Sequence, residues 1–292
     1  MKVGIIGGGS VGLLIGSKLA VHHKITIYVR RTEQKASIKK NGIFVDKSDK
    51  PVKVNAQLMD YPGKEDIFIV CVKQEHITSV LTFIQHVRSG VPVIFLQNGM
   101  GHIDKLLPLE LPIMVGVVEH GANRVNDYTV LHTGEGTIKL AGLVGDGVML
   151  SSVADKLHRS GFPFQFSLDW KSLLYEKLII NAVINPLTAL FDVRNGMILE
   201  NRYLKQLACD LCYEASSILN VDFTSAWQQV QYVIRNTSEN VSSMLKDIRE
   251  NRRTEIDMIT GYLVENSTEN IPNTTFIYRS IKALEMKKGN IE

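Results

Sequence analysis

Residues 2–19, KVGIIGGGSVGLLIGSKL, constrain this chain more than any other stretch. A short apolar run ends in Gly7-x-Gly9-x-x-Gly12, and a helical pattern follows. Two readings compete: a secretory leader with Lys2 as its basic residue, or the strand, turn and helix that open a dinucleotide site. The glycines decide between them. Gly4, Gly7, Gly8, Gly9, Gly12 and Gly16 crowd the segment, and each costs a helix interior about 1 kcal/mol relative to alanine. No small-residue cleavage motif follows, so the mature chain is expected to keep this segment. Residues 24–31, KITIYVRR, instead place a β-branched run where the second strand of a βαβ unit belongs. In that reading Gly7 permits the tight turn, Gly9 lets the backbone approach a pyrophosphate, and Gly12 lets helix and strand pack closely. The pyrophosphate sits on the helix N-terminus, where free N–H groups and the dipole favour anions.

The end of that second strand selects the nucleotide. An NAD site usually carries an acid there, about 20 residues past the glycines, to hold the ribose hydroxyls. This chain has Arg30 and Arg31. A guanidinium matches a 2′-phosphate, which points to NADPH/NADP+. Two solvated arginines at a loop start are the plainer alternative.

At 292 residues the chain has room for two domains. Its 45% hydrophobic and 22% charged residues are those of a globular protein. A net charge of +3 is too slight to argue for nucleic acid, and it does not repel an anionic substrate. Three cysteines, Cys71, Cys209 and Cys212, cannot form a disulfide framework, so a reducing, cytoplasmic setting is expected. The pair Cys209-x-x-Cys212 lies in a strongly helical pattern and reads as core packing. Beyond the opening segment, no apolar run is read as long enough to cross a bilayer.

Residues 66–73, 91–101, 112–122 and 136–142 are further strand candidates with helical or turn segments between them. The alternation predicts an α/β, Rossmann-type, mostly parallel sheet covered by helices. Polar residues close three of these runs: Lys73, the QNGMG turn with Asn98, and EHGA with His120 and Ala122. Asn-Gly after a buried strand can put an amide beside a nicotinamide. From Trp170 onward the spacing is helical, with candidate helices over 170–191 (bent or ended at Pro186), 203–219 and 240–267. The boundary is placed near residue 167, giving a nucleotide-binding domain over 1–167 and an all-helical substrate-binding domain over 168–292.

Lys177, Asn181 and Asn185 recur at i, i+4 and i+8, so they share one helical stripe among apolar neighbours. Polar groups in so apolar a setting are costly unless paired. Asparagines capping a kink before Pro186, beside a solvated lysine, remain the bland alternative. In the last candidate helix, Ser243, Arg249, Arg252, Arg253, Glu255 and Asp257 are mostly a solvated face; Glu255 alone looks partly enclosed.

Through GGGSVG (7–12), QNGMG (97–101), EKLIINAVINPLTAL (176–190), RNG (194–196) and ENVSSMLKDIRENRRTEID (239–257), the chain resembles the ketopantoate reductases. These are the 2-dehydropantoate 2-reductases of pantothenate synthesis. The resemblance runs nearly end to end. It implies Lys177 as general acid, with Asn98, Asn181, Asn185, Asn195 and Ser243 on the substrate, and Glu255 facing cofactor and active site. It also implies a cofactor site of Gly7, Gly8, Gly9, Ser10, Val11, Gly12, Arg30, Lys73, Asn98, Ala122 and Glu255. Glu119 departs from the family's small or hydroxyl residue. The implied partner is a small 2-oxo acid, with no metal, nucleic acid or membrane, and the protein is expected as a monomer or homodimer. Two alternatives stay open at this point: a related dehydrogenase acting on another 2- or 3-oxo acid, and an NADPH-binding sensor without turnover.

Overall fold

A computed structural model describes residues 1–46 and 48–287. The chain divides into two compact units: residues 1–97 with 102–173, and residues 98–101 with 174–292.

The first unit is built on an eight-stranded sheet. Its strands are β1 (Lys2–Ile6), β2 (Lys24–Val29), β4 (Asn55–Leu58), β5 (Ile67–Val70), β6 (Val93–Phe95), β7 (Ile113–Val118), β10 (Ile138–Val144) and β11 (Phe164–Ser167). Their spatial order is β11-β10-β7-β6-β5-β1-β2-β4, parallel except where β10 runs against β7. From β1 the chain steps outward one way through β2 and β4, and the other way through β5, β6 and β7. The order therefore reverses between β1 and β5, which is where open α/β sheets bind ligands. Strands such as Ile67–Val70 are buried at every residue, as expected of a parallel sheet covered on both faces. Helices α1 (Ser10–Leu19), α2 (Thr32–Asn41), α3 (Ile77–Ile84), α4 (Ile103–Leu106) and α5 (Gly147–Leu157) belong to this unit. Helix α1 ends at Leu19, its last turn closing at Ala20.

A small second sheet was not foreseen. Strands β3 (Phe44–Val45), β8 (Gly121–Arg124) and β9 (Thr129–Gly134) form it in the order β3-β9-β8. Two of its strands are very short and half-exposed, so neither carries the alternation that marks a strand in sequence.

The second unit is helical. Helix α6 (Trp170–Phe191) opens on Asp169, whose carboxylate accepts from the Lys171 and Ser172 N–H groups. It runs through Pro186 rather than ending there, although an internal proline costs a helix about 3 kcal/mol. Residues 178–189 are all buried. This half is a core helix enclosed all round, and burial outweighs the proline. Contrary to the sequence reading, α6 is long and apolar enough to cross a membrane by length and composition, with 67% of its most apolar window buried inside the protein.

Helices α7 (Met197–Glu200), α8 (Arg202–Leu219) and α9 (Phe223–Asn236) follow. The single helix expected over 240–267 is in fact broken into pieces. They are α10 (Ser243–Arg249), a π-helical turn at Asp257–Gly261 and α11 (Tyr262–Asn266), before α12 (Pro272–Lys287). The break has a local cause. Asn251 takes a left-handed φ of 52°, and the Arg252 side chain folds back to Asp247 at 2.7 Å. Thr254 Oγ1 then accepts from the Ile256 N–H at 3.2 Å, as a helix-starting threonine does.

Candidate active site

In the glycine loop each glycine has a separate physical role. Gly7 has φ +109°, a conformation side chains rarely adopt. At Gly12 a Cβ would collide with the Gly7 carbonyl oxygen, so helix α1 can leave β1 only if residue 12 has no side chain. A Cβ on Gly9 would meet nothing within 4 Å. Protein packing thus explains Gly7 and Gly12 but leaves open space at Gly9, the position expected to face a pyrophosphate. No side chain caps α1 at Gly9, so the first N–H groups of the helix are not taken by a cap. Ser10 Oγ instead accepts from the Arg124 N–H at 3.0 Å, and Val11 is half-buried beside it. Gln34, which the sequence reading missed, is buried and donates to the Gly8 carbonyl at 2.7 Å. Sequence carries no signal for it, because Gln34 is one polar residue among many in α2.

Arg30 and Arg31 are both exposed but differ in engagement. Arg31 pairs with Asp127. Arg30 Nη1 lies 3.3 Å from His76 Nδ1. Burial, then the Arg30 guanidinium, lowers the His76 pKa, which keeps the imidazole neutral and able to accept from Arg30. Lys73 is exposed just past β5, and Ala122 is half-buried on β8. Glu119 has a structural account: its carboxylate pairs with Lys139 at 2.8 Å across the β7–β10 ladder.

In the helical unit, Lys177, Asn181 and Asn185 lie on one stripe of α6. Lys177 is half-buried, while Asn181 and Asn185 are only 8% and 9% exposed. Among the described residues neither asparagine amide has a side-chain hydrogen-bond partner. Neither amide is among the fully buried polar groups that lack a hydrogen bond, so both keep a polar atom open to solvent, where a ligand can reach it.

The turn after β6 joins this unit. Asn98 Nδ2 donates to Glu255 Oε2 at 2.9 Å, bringing together two residues 157 positions apart. Gly99 (φ +76°) is required there, because a Cβ would run into the Met258 carbonyl. Glu255 is half-buried and sits in the broken segment, not on a long helix. Next to it, Asp257 accepts from Tyr278, Lys282 and Arg253. Burial alone would raise its pKa, but those hydrogen bonds outweigh burial and hold the carboxyl low.

Two expected substrate contacts are placed less directly. Ser243 is exposed at the first residue of α10, whereas buried Ser242 caps that helix and accepts from Thr188 Oγ1 at 2.7 Å. Asn195 is buried and donates to Thr237 Oγ1 at 2.9 Å. Among the described residues no three His, Cys, Asp or Glu side chains cluster as metal ligands. Cys212 is buried in α8 and its pKa is pushed up to about 12, chiefly by burial, so it packs as an uncharged thiol.

The family model for ketopantoate reductase PanE/ApbA matches residues 3–171, and its C-terminal counterpart matches residues 169–285. The 2-dehydropantoate 2-reductase of Bacillus subtilis is 39% identical over 298 residues, covering 100% of both chains. A crystal structure of a probable 2-dehydropantoate 2-reductase from Bacillus subtilis superposes with a TM-score of 0.89 at 39% identity, covering 97% of this chain and 100% of that one. D-mandelate dehydrogenase, solved with NADH and anilino(oxo)acetate, shares the fold at a TM-score of 0.90 and 22% identity, covering 99% and 100%. A Rossmann-type sheet, a helical second half and end-to-end matches to both family models agree: this chain belongs to the ketopantoate reductase family.

Proposed function

We propose that the protein reduces the C2 carbonyl of 2-dehydropantoate to give pantoate, using NADPH, in the cytoplasm as a monomer or homodimer. Residues 1–167 bind the nucleotide and residues 168–292 the 2-oxo acid. The observation that carries this reading is the α6 stripe: a half-buried lysine in line with two largely buried asparagines.

The glycine loop fits a dinucleotide. Gly7 and Gly12 shape the turn, the space beside Gly9 admits a pyrophosphate, and Gly8, Ser10 and Val11 complete the loop at the uncapped start of α1. Arg30 meets the 2′-phosphate, and Lys73, Asn98 and Ala122 line the nicotinamide end. When bound, NADPH supplies the hydride.

The protein's own groups do the rest. As hydride reaches C2, negative charge grows on the carbonyl oxygen, and Lys177 stabilises it and donates the proton. Asn181, Asn185, Asn195, Asn98 and Ser243 hold the carboxylate and hydroxyl, so alignment is fixed before the chemical step. Glu255 faces cofactor and substrate, with Asn98 bound to its carboxylate.

A panel of 2- and 3-oxo acids, assayed with NADPH and NADH by nucleotide absorbance, tests this directly. Ketopantoate should be the best substrate and NADPH the preferred donor. Absence of ketopantoate-dependent NADPH oxidation would overturn the reading.

A further inference from the structure

Glu285 is a charged residue that the reaction does not touch, yet its side chain is fully buried near the end of α12. Its Oε1 accepts from the Thr254 backbone N–H at 2.7 Å. Its Oε2 faces Lys282 Nζ at 3.3 Å. Lys282 also reaches Asp257 Oδ2 at 3.0 Å, and Tyr278 donates to Asp257 Oδ1 at 2.9 Å. Tyr278, Lys282 and Glu285 recur at i, i+4 and i+7, one stripe of α12. That stripe grips residue 254 by its backbone and residue 257 by its carboxylate. Glu255 lies between the two grips, at a bend outside the regular helices.

We infer that Glu285 is a positioning residue: with Lys282 and Tyr278 it fixes the 254–257 segment so that the Glu255 carboxylate points toward its reaction partners. The inference rests on the role proposed for Glu255 above. A simple core role does not explain the arrangement. An apolar side chain could fill the same volume without the desolvation cost of a buried carboxylate. What it could not supply is an acceptor for the Thr254 N–H. The left-handed residue Asn251 and the π-helical turn mark the irregular backbone on either side of Glu255.

The test is a double-mutant cycle on the intact protein, Glu285→Ala against Glu255→Gln, with Glu285→Gln as the conservative variant. Glu285→Ala should lower kcat/KM for ketopantoate about 10- to 100-fold. Glu285→Gln retains an acceptor for the Thr254 N–H and should recover most of the activity. In the Glu255→Gln background, Glu285→Ala should cost little more, because its effect passes through Glu255. Additive losses would overturn the inference. Should Glu285→Ala fail to fold, Lys282→Met replaces it in the same cycle, with the same expected non-additivity. Amide hydrogen exchange gives a readout independent of turnover. Residues 250–261 should exchange faster in Glu285→Ala, while α6 and α8 keep their protection. Unchanged exchange in 250–261 would overturn the inference even if ketopantoate proved the wrong substrate, and a wild-type protein inactive on ketopantoate would instead count against the proposed function.

Discussion

Lys177 and Asn181 lie four residues apart on one stripe, yet their removal should have different consequences. Only the lysine has both a charge and a transferable proton. Lys177→Ala should lower kcat by a factor on the order of 10² to 10⁴, the range for a lost general acid. Asn181→Ala should instead raise KM for the oxo acid more than it lowers kcat, the pattern of lost ground-state binding. Steady-state kinetics on both variants checks the split, and near-normal kcat in Lys177→Ala would make the lysine merely structural. Arg30 is the other single residue with a sharp expectation. Arg31 is already paired with Asp127, so Arg30→Ala alone should weaken NADPH about 10-fold or more, the value of a charge-assisted hydrogen bond, and leave NADH unchanged. Equal use of both nucleotides by the unmodified protein would sink that assignment. The stripe and Arg30 were legible because residue type and spacing carry them. Gln34 and Glu285 were not, since each acts on a backbone group 26 or more positions away.

The strand, turn and helix at the chain start make a testable contrast between two glycines of one motif. At Gly12, alanine would meet the Gly7 carbonyl, so Gly12→Ala should destabilise the protein and lower its melting temperature. Gly9 has φ −82° and open space around it. Gly9→Ala should therefore melt near the wild type while binding NADPH more weakly, as isothermal titration would show. If it bound NADPH as tightly as the wild type, the pyrophosphate would not approach Gly9. Elements of this kind were readable from sequence: β1, α1 and β2 follow from a glycine motif set between apolar runs. The 240–267 stretch misled because its apolar spacing stays helical across the break. Thr254-x-x-Asp257, a capping-box spacing, was the overlooked signal for a new start. The β3-β9-β8 sheet had no such signal, because its strands are short and take their partners from distant parts of the chain.

For the whole molecule, acid should be the weak side. His102 is 1% exposed, and burial lowers its pKa to about 4. His120, stacked on Phe162 at 4.2 Å, is also lowered to about 4, first by burial and then by His132. A histidine held neutral in the fold takes up a proton more readily when unfolded. Its effect is absent above the unfolded pKa near 6.5 and grows as pH falls from there toward 4. His102 alone could cost on the order of 3 kcal/mol across that window. Urea unfolding at pH 7 and pH 4.5 should show the loss, and His102→Gln should flatten it; stability independent of pH over that range would contradict the assignment. The turn at residues 98–101 has a consequence of another kind. By sequence it follows a strand of the first unit, but by contact it belongs to the second, where Gly99 packs against the Met258 carbonyl and Asn98 binds Glu255. The two halves are therefore not interchangeable cassettes. A chimaera that takes residues 1–173 from one relative and the remainder from another inherits a turn shaped for a different acceptor. Recombination within this family should succeed only where the turn and the 255–258 stretch travel together.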